Sequence, residues 1–133
     1  MPKARNRFER SQQVFLWLKD IWPCGRPVEL VWLKQITEVD KETGKLEQFY
    51  GETWRDGRKL IINLSSKKNR QWTTMIDTLV HEYVHVLQWG PASLEHNPKC
   101  DDHPVAFFAM EGEIKAVWNY DHGSEDADEY EIE

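Results

Sequence analysis

The chain has 133 residues, a length typical of one domain with one hydrophobic core, which excludes a two-domain enzyme. Hydrophobic residues make up 40% of the sequence and seven residues are Trp, so the composition excludes an intrinsically disordered chain. The formal net charge is −6, but seven of the 23 acidic residues fall in positions 121–133, where there is no Lys or Arg. The rest of the chain has 17 basic and 16 acidic residues and is nearly neutral. We therefore predict one domain over residues 1–120 and an acidic, disordered tail over residues 121–133.

The sequence also predicts the compartment. It contains no run of about 18 apolar residues, and no apolar h-region follows the basic N-terminus, so neither a membrane span nor a signal peptide is expected. Cys24 and Cys100 are the only cysteines, which excludes a disulfide framework and a four-cysteine zinc ribbon. We expect a soluble, cytoplasmic protein that does not associate with membranes.

The first part of the chain predicts one helix followed by three strands. Apolar residues recur at helical spacing over residues 7–22. Residues 28–33 (VELVWL) are apolar and partly β-branched, which is typical of a strand. Residues 46–54 and 59–65 flank an Asp-Gly pair, a two-residue turn signal, so we expect them to form a hairpin.

The last part of the chain predicts two helices. Residues 72–89 contain no Gly or Pro, and apolar residues recur there at steps of three and four. Pro104, a favoured first helical residue, begins a further helix over residues 104–119. The predicted fold class is therefore α+β, with an N-terminal helix, a small three-stranded sheet and two helices after it.

The second predicted helix contains the pattern H-E-x-x-H, at His81, Glu82 and His85. A helix advances by about 100° per residue, so the two imidazoles lie about 40° apart and one turn from each other, close enough to bind one ion. Glu82 is rotated by about 100° from His81, which directs its carboxylate to a water on the metal. The spacing therefore predicts two zinc ligands and a general base.

The same helix carries a polar stripe of Thr74, Asp77, Thr78, His81, His85 and Gln88. Polar groups on a buried helix need partners, which favours a functional site over two histidines that only form hydrogen bonds. Asp77 lies one turn before His81 and is a candidate acceptor for the ring of that ligand. The alternative is an ordinary exposed aspartate.

A catalytic zinc ion takes a third protein ligand and leaves its fourth position to water. Several residues after the motif are candidates for that ligand: His96, Cys100, Asp101, Asp102, His103, Glu111, Glu113 and His122.

Three segments, residues 81–89 (HEYVHVLQW), 103–107 (HPVAF) and 110–114 (MEGEI), together resemble the SprT-like zinc metalloproteases, and most of all their short phage-type members. In that family a histidine at the start of the following helix is the third zinc ligand, with an aromatic residue four positions later. His103 and Phe107 match these places. The resemblance covers residues 1–120 and implies a zincin-like minimal domain. The alternative third ligand is Glu111 or Glu113, because zincins with a glutamate ligand place it on a following helix, and Glu111 is the preferred one of the two.

The motif and the resemblance together predict a zinc metalloendopeptidase that hydrolyses peptide bonds in proteins, with Glu82 as general base on a zinc-activated water. If the protein is phage-encoded, it would act in the host cytoplasm. Residues 59–65 precede the active-site helix, so Ile61, Ile62 and Asn63 are the expected edge for pairing with an extended substrate.

Two alternatives stand beside the peptidase. One is a non-catalytic module in which zinc is structural and a protein or nucleic acid is the partner. The other is weak DNA association through a basic N-terminus, for which ordinary surface solvation is the competing interpretation. The basic residues concerned form two patches: Lys3, Arg5, Arg7 and Arg10, and Lys67, Lys68 and Arg70.

Overall fold

A computed structural model describes residues 2–89, 105–127 and 129–131. Its elements in chain order are α1 (Arg7–Ile21), β1 (Val28–Leu33), β2 (Ile36–Val39), β3 (Leu46–Phe49), β4 (Gly51–Asp56), β5 (Lys59–Ser65), α2 (Trp72–Leu87), α3 (Val105–His122) and a 3-10 turn at Gly123–Glu125. This confirms the α+β class with an N-terminal helix and a small sheet. None of the helices in the described ranges combines the length and apolar character needed to cross a membrane.

The main sheet has three strands in the order β1-β5-β4. β1 runs parallel to β5, and β4 runs antiparallel to it across the predicted hairpin. Gly57 lies in the turn of this hairpin with a φ of 63°, a conformation that glycine adopts without strain. β5 lies in the centre of the sheet, and most of its side chains are buried.

A separate two-stranded ribbon, β2 paired antiparallel with β3, precedes β4. The strand predicted over residues 46–54 is therefore two strands, because the chain bends at Tyr50 as it passes from the ribbon into the main sheet. β2 was not predicted, since three of its four residues are exposed and it lacks the alternation of a half-buried strand.

The hydrophobic core surrounds α2, which packs against α1, α3 and the strands β4 and β5. Fully burying one large apolar side chain stabilises a fold by about 1.5–3 kcal/mol. The contributors from the other elements are Val14, Phe15 and Leu18 of α1, Leu60, Ile62 and Leu64 of β5, and Phe107, Ile114 and Trp118 of α3. The helix that carries the H-E-x-x-H pattern is thus the most enclosed element.

The acidic C-terminal region is held against this core by α1. Asp126 and Arg10 are both buried, with Arg10 Nε 2.7 Å from Asp126 Oδ1. Trp118 Nε1 donates to Asp126 Oδ2 at 2.9 Å, and the Arg10 guanidinium lies over the Trp118 ring, 4.8 Å from its centroid. Buried charges of opposite sign satisfy each other's hydrogen bonds in this arrangement.

The residues that follow Asp126 contact the start of α2. The backbone N–H of Trp72 donates to the carbonyl of Glu129 at 3.1 Å, and Gln71 forms an isolated β-bridge with Tyr130. The disordered tail predicted from residue 121 is therefore wrong for residues 121–127 and 129–131, and the domain continues beyond residue 120. The prediction failed because the arginine partners of these carboxylates lie more than 100 positions earlier in the sequence.

Candidate metal centre

The structure brings the three residues of the motif together on one side of α2. One potential ligand atom each from His81, Glu82 and His85 lies within 4.8 Å of the other two. The imidazole centroids are 5.1 Å apart, and the ring planes are inclined by 81°. Glu82 and His85 are buried, while His81 is partly exposed. This group can hold a metal ion.

The local sequence explains why the helix stays regular through the motif. No Gly or Pro interrupts residues 72–87, and the Gln88 N–H still bonds the Val84 carbonyl at 3.0 Å, beyond the second histidine. At the other end, Gln71 provides no side-chain cap, and the Glu129 carbonyl accepts a hydrogen bond from the first helical N–H. An unbroken helix preserves the one-turn separation of the two imidazoles.

Phe107 of α3 packs against both imidazoles. Its ring centroid lies 4.9 Å from that of His81 and 4.6 Å from that of His85. The side chain is fully buried. The resemblance predicted this residue as the aromatic four positions after His103, and its ring contacts restrict the rotation of the two candidate ligands.

Glu111 of α3 contacts His81 directly. Its Oε2 lies 2.6 Å from His81 Nδ1, and Lys115 Nζ lies 2.9 Å from its Oε1. Partial burial by itself raises the pKa of Glu111, but the hydrogen bonds from Lys115 and His81 and their charges outweigh it, so this pKa lies below its usual value. An ionised Glu111 accepts the Nδ1 proton, so a metal would be bound through His81 Nε2.

The contact with the His81 imidazole for which Asp77 was a candidate is made by Glu111, and Asp77 is the ordinary exposed aspartate of the alternative interpretation. The Asp77 side chain is 62% exposed, and its carboxylate lies 3.7 Å from Lys115 Nζ. Residues one turn apart on a helix share a face, but the facing helix supplies a closer carboxylate. Helix packing of this kind is not visible in the spacing of a single segment.

Glu82 is positioned by β4. The Thr53 hydroxyl donates to Glu82 Oε1 at 2.8 Å, and both side chains are buried. Strand and helix approach closely here, because a Cβ at Gly51 would lie 2.8 Å from Thr78 Cγ2 and 3.1 Å from Glu82 Cγ. The sequence did not indicate Thr53, although a glycine at the start of a strand is a known sign of close backbone approach.

The exposed side of the centre opens into a cleft of about 350 Å³ between β4 and α3. Its lining includes Phe49, Tyr50, Gly51, Thr78, His81 and Lys115. β4, whose first residue Gly51 lines the cleft, is an edge strand of the main sheet.

This order corrects the predicted substrate edge. Ile61, Ile62 and Asn63 belong to β5, which is paired with β1 on one side and with β4 on the other. Their main-chain groups are therefore used within the sheet. The run KLIINLS has the nearly continuous apolar character of a central strand, whereas nearness in sequence to α2 carries no information about sheet order.

The remaining predicted residues fall in three places. His103, the predicted third ligand, lies outside the described residues, as do His96, Cys100, Asp101 and Asp102. Glu113 is exposed on α3, and His122 packs on Trp118 at the far end of that helix with centroids 4.5 Å apart.

The N-terminal basic patch is smaller than predicted. Arg7 and Arg10 are both buried, where Arg7 Nη1 donates to the carbonyls of Ser66 and Asn69 at 2.8 and 3.0 Å. Arg5 pairs with Glu9 at 2.8 Å. Two of the four expected cations thus stabilise the fold and do not face an external partner.

Comparison of the chain with protein-family models, with curated proteins and with solved structures finds no match in any of the three.

Proposed function

We propose that this protein is a zinc-dependent endopeptidase of the SprT-like type, which hydrolyses peptide bonds in protein substrates. The observation that carries the proposal is the combination of two imidazoles and a carboxylate within 4.8 Å, next to an edge strand and an open cleft. A structural zinc site is closed, whereas a catalytic one keeps a position open to substrate. The cytoplasm is the proposed compartment, because only two cysteines are present in the chain.

The donor set fits zinc. Imidazole nitrogens are ligands that zinc prefers, and Glu111 holds the His81 ring so that Nε2 is the binding atom. His81 and His85 would hold the ion, together with His103 as the proposed third ligand. When bound, zinc supplies a Lewis acid that polarises a carbonyl and lowers the pKa of water.

Glu82 is the proposed general base. The carboxylate accepts a proton from the attacking water as the new C–O bond forms, and it donates that proton to the leaving amine nitrogen as the C–N bond breaks. The hydrogen bond from Thr53 fixes the carboxylate for both transfers. Phe107 limits water on the opposite side of the two imidazoles.

β4 is the proposed strand for substrate pairing. Its first residue, Gly51, lines the cleft, and Thr53, near its middle, touches Glu82. A peptide in extended conformation that pairs with β4 therefore passes beside the carboxylate. This position replaces the one that the sequence predicted on β5.

Glu82→Gln tests the mechanism. The glutamine keeps an acceptor for the Thr53 hydroxyl but cannot take up a proton, so cleavage of a denatured, fluorescently labelled protein should fall by about 10²- to 10⁴-fold. The zinc content, measured by atomic emission, should stay unchanged. The control is Glu113→Gln on the exposed face of α3, which should cleave normally.

Cleavage that persists in Glu82→Gln would dismiss the mechanism. Zinc-loaded protein that is inert on every denatured protein and peptide would instead favour the non-catalytic binding module.

A further inference from the structure

The loop between β5 and α2, residues 66–71, forms a second depression next to the cleft. Its volume is about 370 Å³, and it is lined by Lys67, Lys68 and Arg70 together with Tyr50 and Tyr130. The two tyrosines are 48% and 54% exposed. Among the described residues no carboxylate forms an ion pair with these three cations, and the buried Arg70 Nε has no hydrogen-bond partner there. We call this region the basic depression.

Three side chains hold the loop in place. Asn69 is buried and donates through Nδ2 to the Tyr50 carbonyl at 2.8 Å. Its Oδ1 accepts from the Thr78 hydroxyl at 2.7 Å, which links the loop to α2. Arg7 bonds two carbonyls of the loop from the other side. The cations therefore project from a fixed backbone, so less conformational freedom is lost when an anion binds.

The basic depression adjoins the cleft at Tyr50. Tyr50 lines both, and α2 borders the depression with Thr74 and the cleft with Thr78 and His81. Thr74 and His81 are seven residues apart on one helix, which corresponds to about 10 Å along its axis. An extended peptide rises by about 3.3 Å per residue, so the depression lies about three residues from the centre.

We propose that the basic depression is a specificity subsite for acidic side chains of the substrate, placed about three residues from the hydrolysed bond. Lys67, Lys68 and Arg70 bind the Asp or Glu carboxylates, and Lys68 Nζ lies over the Tyr50 ring, 5.1 Å from its centroid. This inference rests on the proposed peptidase function and adds the class of substrate. Carboxylates closer to the centre are disfavoured by Asp77 and Glu111, which lie at the cleft itself.

A peptide fits this surface better than a nucleic acid does. β4 offers main-chain hydrogen bonds to an extended peptide, and Tyr50, directly before that strand, lines both the cleft and the basic depression. Nucleic acids are held by many phosphate contacts, whereas Arg7 and Arg10 of the other predicted patch are buried. Three cations at one end of a cleft suit a short cluster of carboxylates.

Binding is tested on zinc-loaded Glu82→Gln protein, so that the peptides stay intact. Two labelled 14-residue peptides differ only in a cluster of three residues near one end, Glu-Asp-Glu in one and Gln-Asn-Gln in the other, and each is also made with the cluster at the opposite end. Fluorescence anisotropy should show about tenfold tighter binding of the acidic peptide in at least one placement at 50 mM salt. Most of this preference should disappear at 500 mM salt.

Lys67→Gln/Lys68→Gln should abolish the preference. The matched control, Lys41→Gln/Lys45→Gln, removes two exposed lysines from the β2–β3 turn and should retain it. Equal binding of both peptides, or an equal loss of the preference in the control, would overturn the subsite. Binding of an oligothymidine of matched length is measured beside the peptides. If the double variant weakens only the binding of this oligothymidine, the depression binds nucleic acid and the subsite is likewise overturned.

The wild-type protein separates the two proposals. If it cleaves neither peptide while the acidic one binds preferentially, the peptidase function fails and the acidic subsite remains. If it cleaves both equally with equal affinity, the peptidase function remains and the subsite fails. Mass spectrometry should place the cut about three residues from the acidic cluster.

Discussion

Two clusters of charged side chains involve the C-terminal part of this chain, and they differ in access to solvent. The first contains Arg10 and Asp126, which are 1% and 2% exposed and bonded to each other. The second is the candidate metal centre, where His81 is 30% exposed, Glu111 is 14% exposed and a cleft of about 350 Å³ adjoins them. A closed ion pair holds elements together, whereas an open cluster of polar and charged side chains can act on a ligand.

The difference lies in what each carboxylate is bonded to. Asp126 accepts hydrogen bonds from Arg10 and Trp118, which have no access to the cleft. Glu111 accepts from Lys115 and contacts His81, which lines the cleft. Mutations should therefore separate stability from activity between the two clusters.

The largest effect on stability is expected at the closed cluster. Asp126→Ala leaves Arg10 buried without its main counter-charge and should lower the free energy of unfolding by about 3–5 kcal/mol. Urea unfolding followed by Trp fluorescence measures this change. Glu125→Gln is the control, because that carboxylate is 53% exposed and its pairing with Arg10 should contribute less than about 1 kcal/mol. Equal losses in the two variants would contradict the distinction.

A smaller effect is expected where strand and helix approach beside the metal centre. Gly51→Ala places a methyl group 2.8 Å from Thr78 Cγ2, so β4 must move away from α2, at a cost of about 1–3 kcal/mol. Cleavage should also fall, because the same shift displaces Thr53 from Glu82. Gly112→Ala on α3 has open space and should be neutral or slightly stabilising. If Gly51→Ala leaves both the free energy of unfolding and the cleavage rate unchanged, β4 and α2 have room for the added methyl group and the prediction is wrong.

The smallest effect is expected on metal affinity. Glu111→Gln keeps an acceptor for His81 Nδ1 but removes the charge, so zinc affinity should fall by about tenfold, without loss of binding at saturating zinc. His103→Ala should lose stoichiometric zinc, because it removes a proposed ligand. Competition with a chromogenic chelator gives both values. Glu111 is the third ligand if Glu111→Gln loses zinc as completely as His85→Ala does, while His103→Ala retains it.

The parts of the fold that the sequence predicted depend on local periodicity. The helices containing Phe15 and His81 were placed to within two residues at each end, since apolar spacing and helix-breaking residues act over one or two turns. The geometry of His81, Glu82 and His85 follows from helical spacing alone. These features need no knowledge of distant residues.

The parts that were missed depend on contacts between distant segments. The contact of Glu111 with His81 and the bond of Thr53 to Glu82 join residues that are 30 and 29 positions apart. The central place of β5 depends on which strands pair with it, and strand order is not visible in a single segment. The burial of Asp126 depends on Arg10, 116 positions earlier. In the sequence alone, a run of carboxylates without nearby basic residues looks like a solvated tail, because the arginines that pair with it lie far away in the sequence.

The bond between the Trp72 N–H and the Glu129 carbonyl has a consequence for biosynthesis. The ribosome makes the H-E-x-x-H segment well before Glu129, so the emerging chain has α2 without the group that satisfies its first N–H. Arg10 likewise lacks its buried carboxylate partner until Asp126 has been synthesised. The helix that carries the candidate metal centre should therefore reach its full stability only after this later segment has emerged.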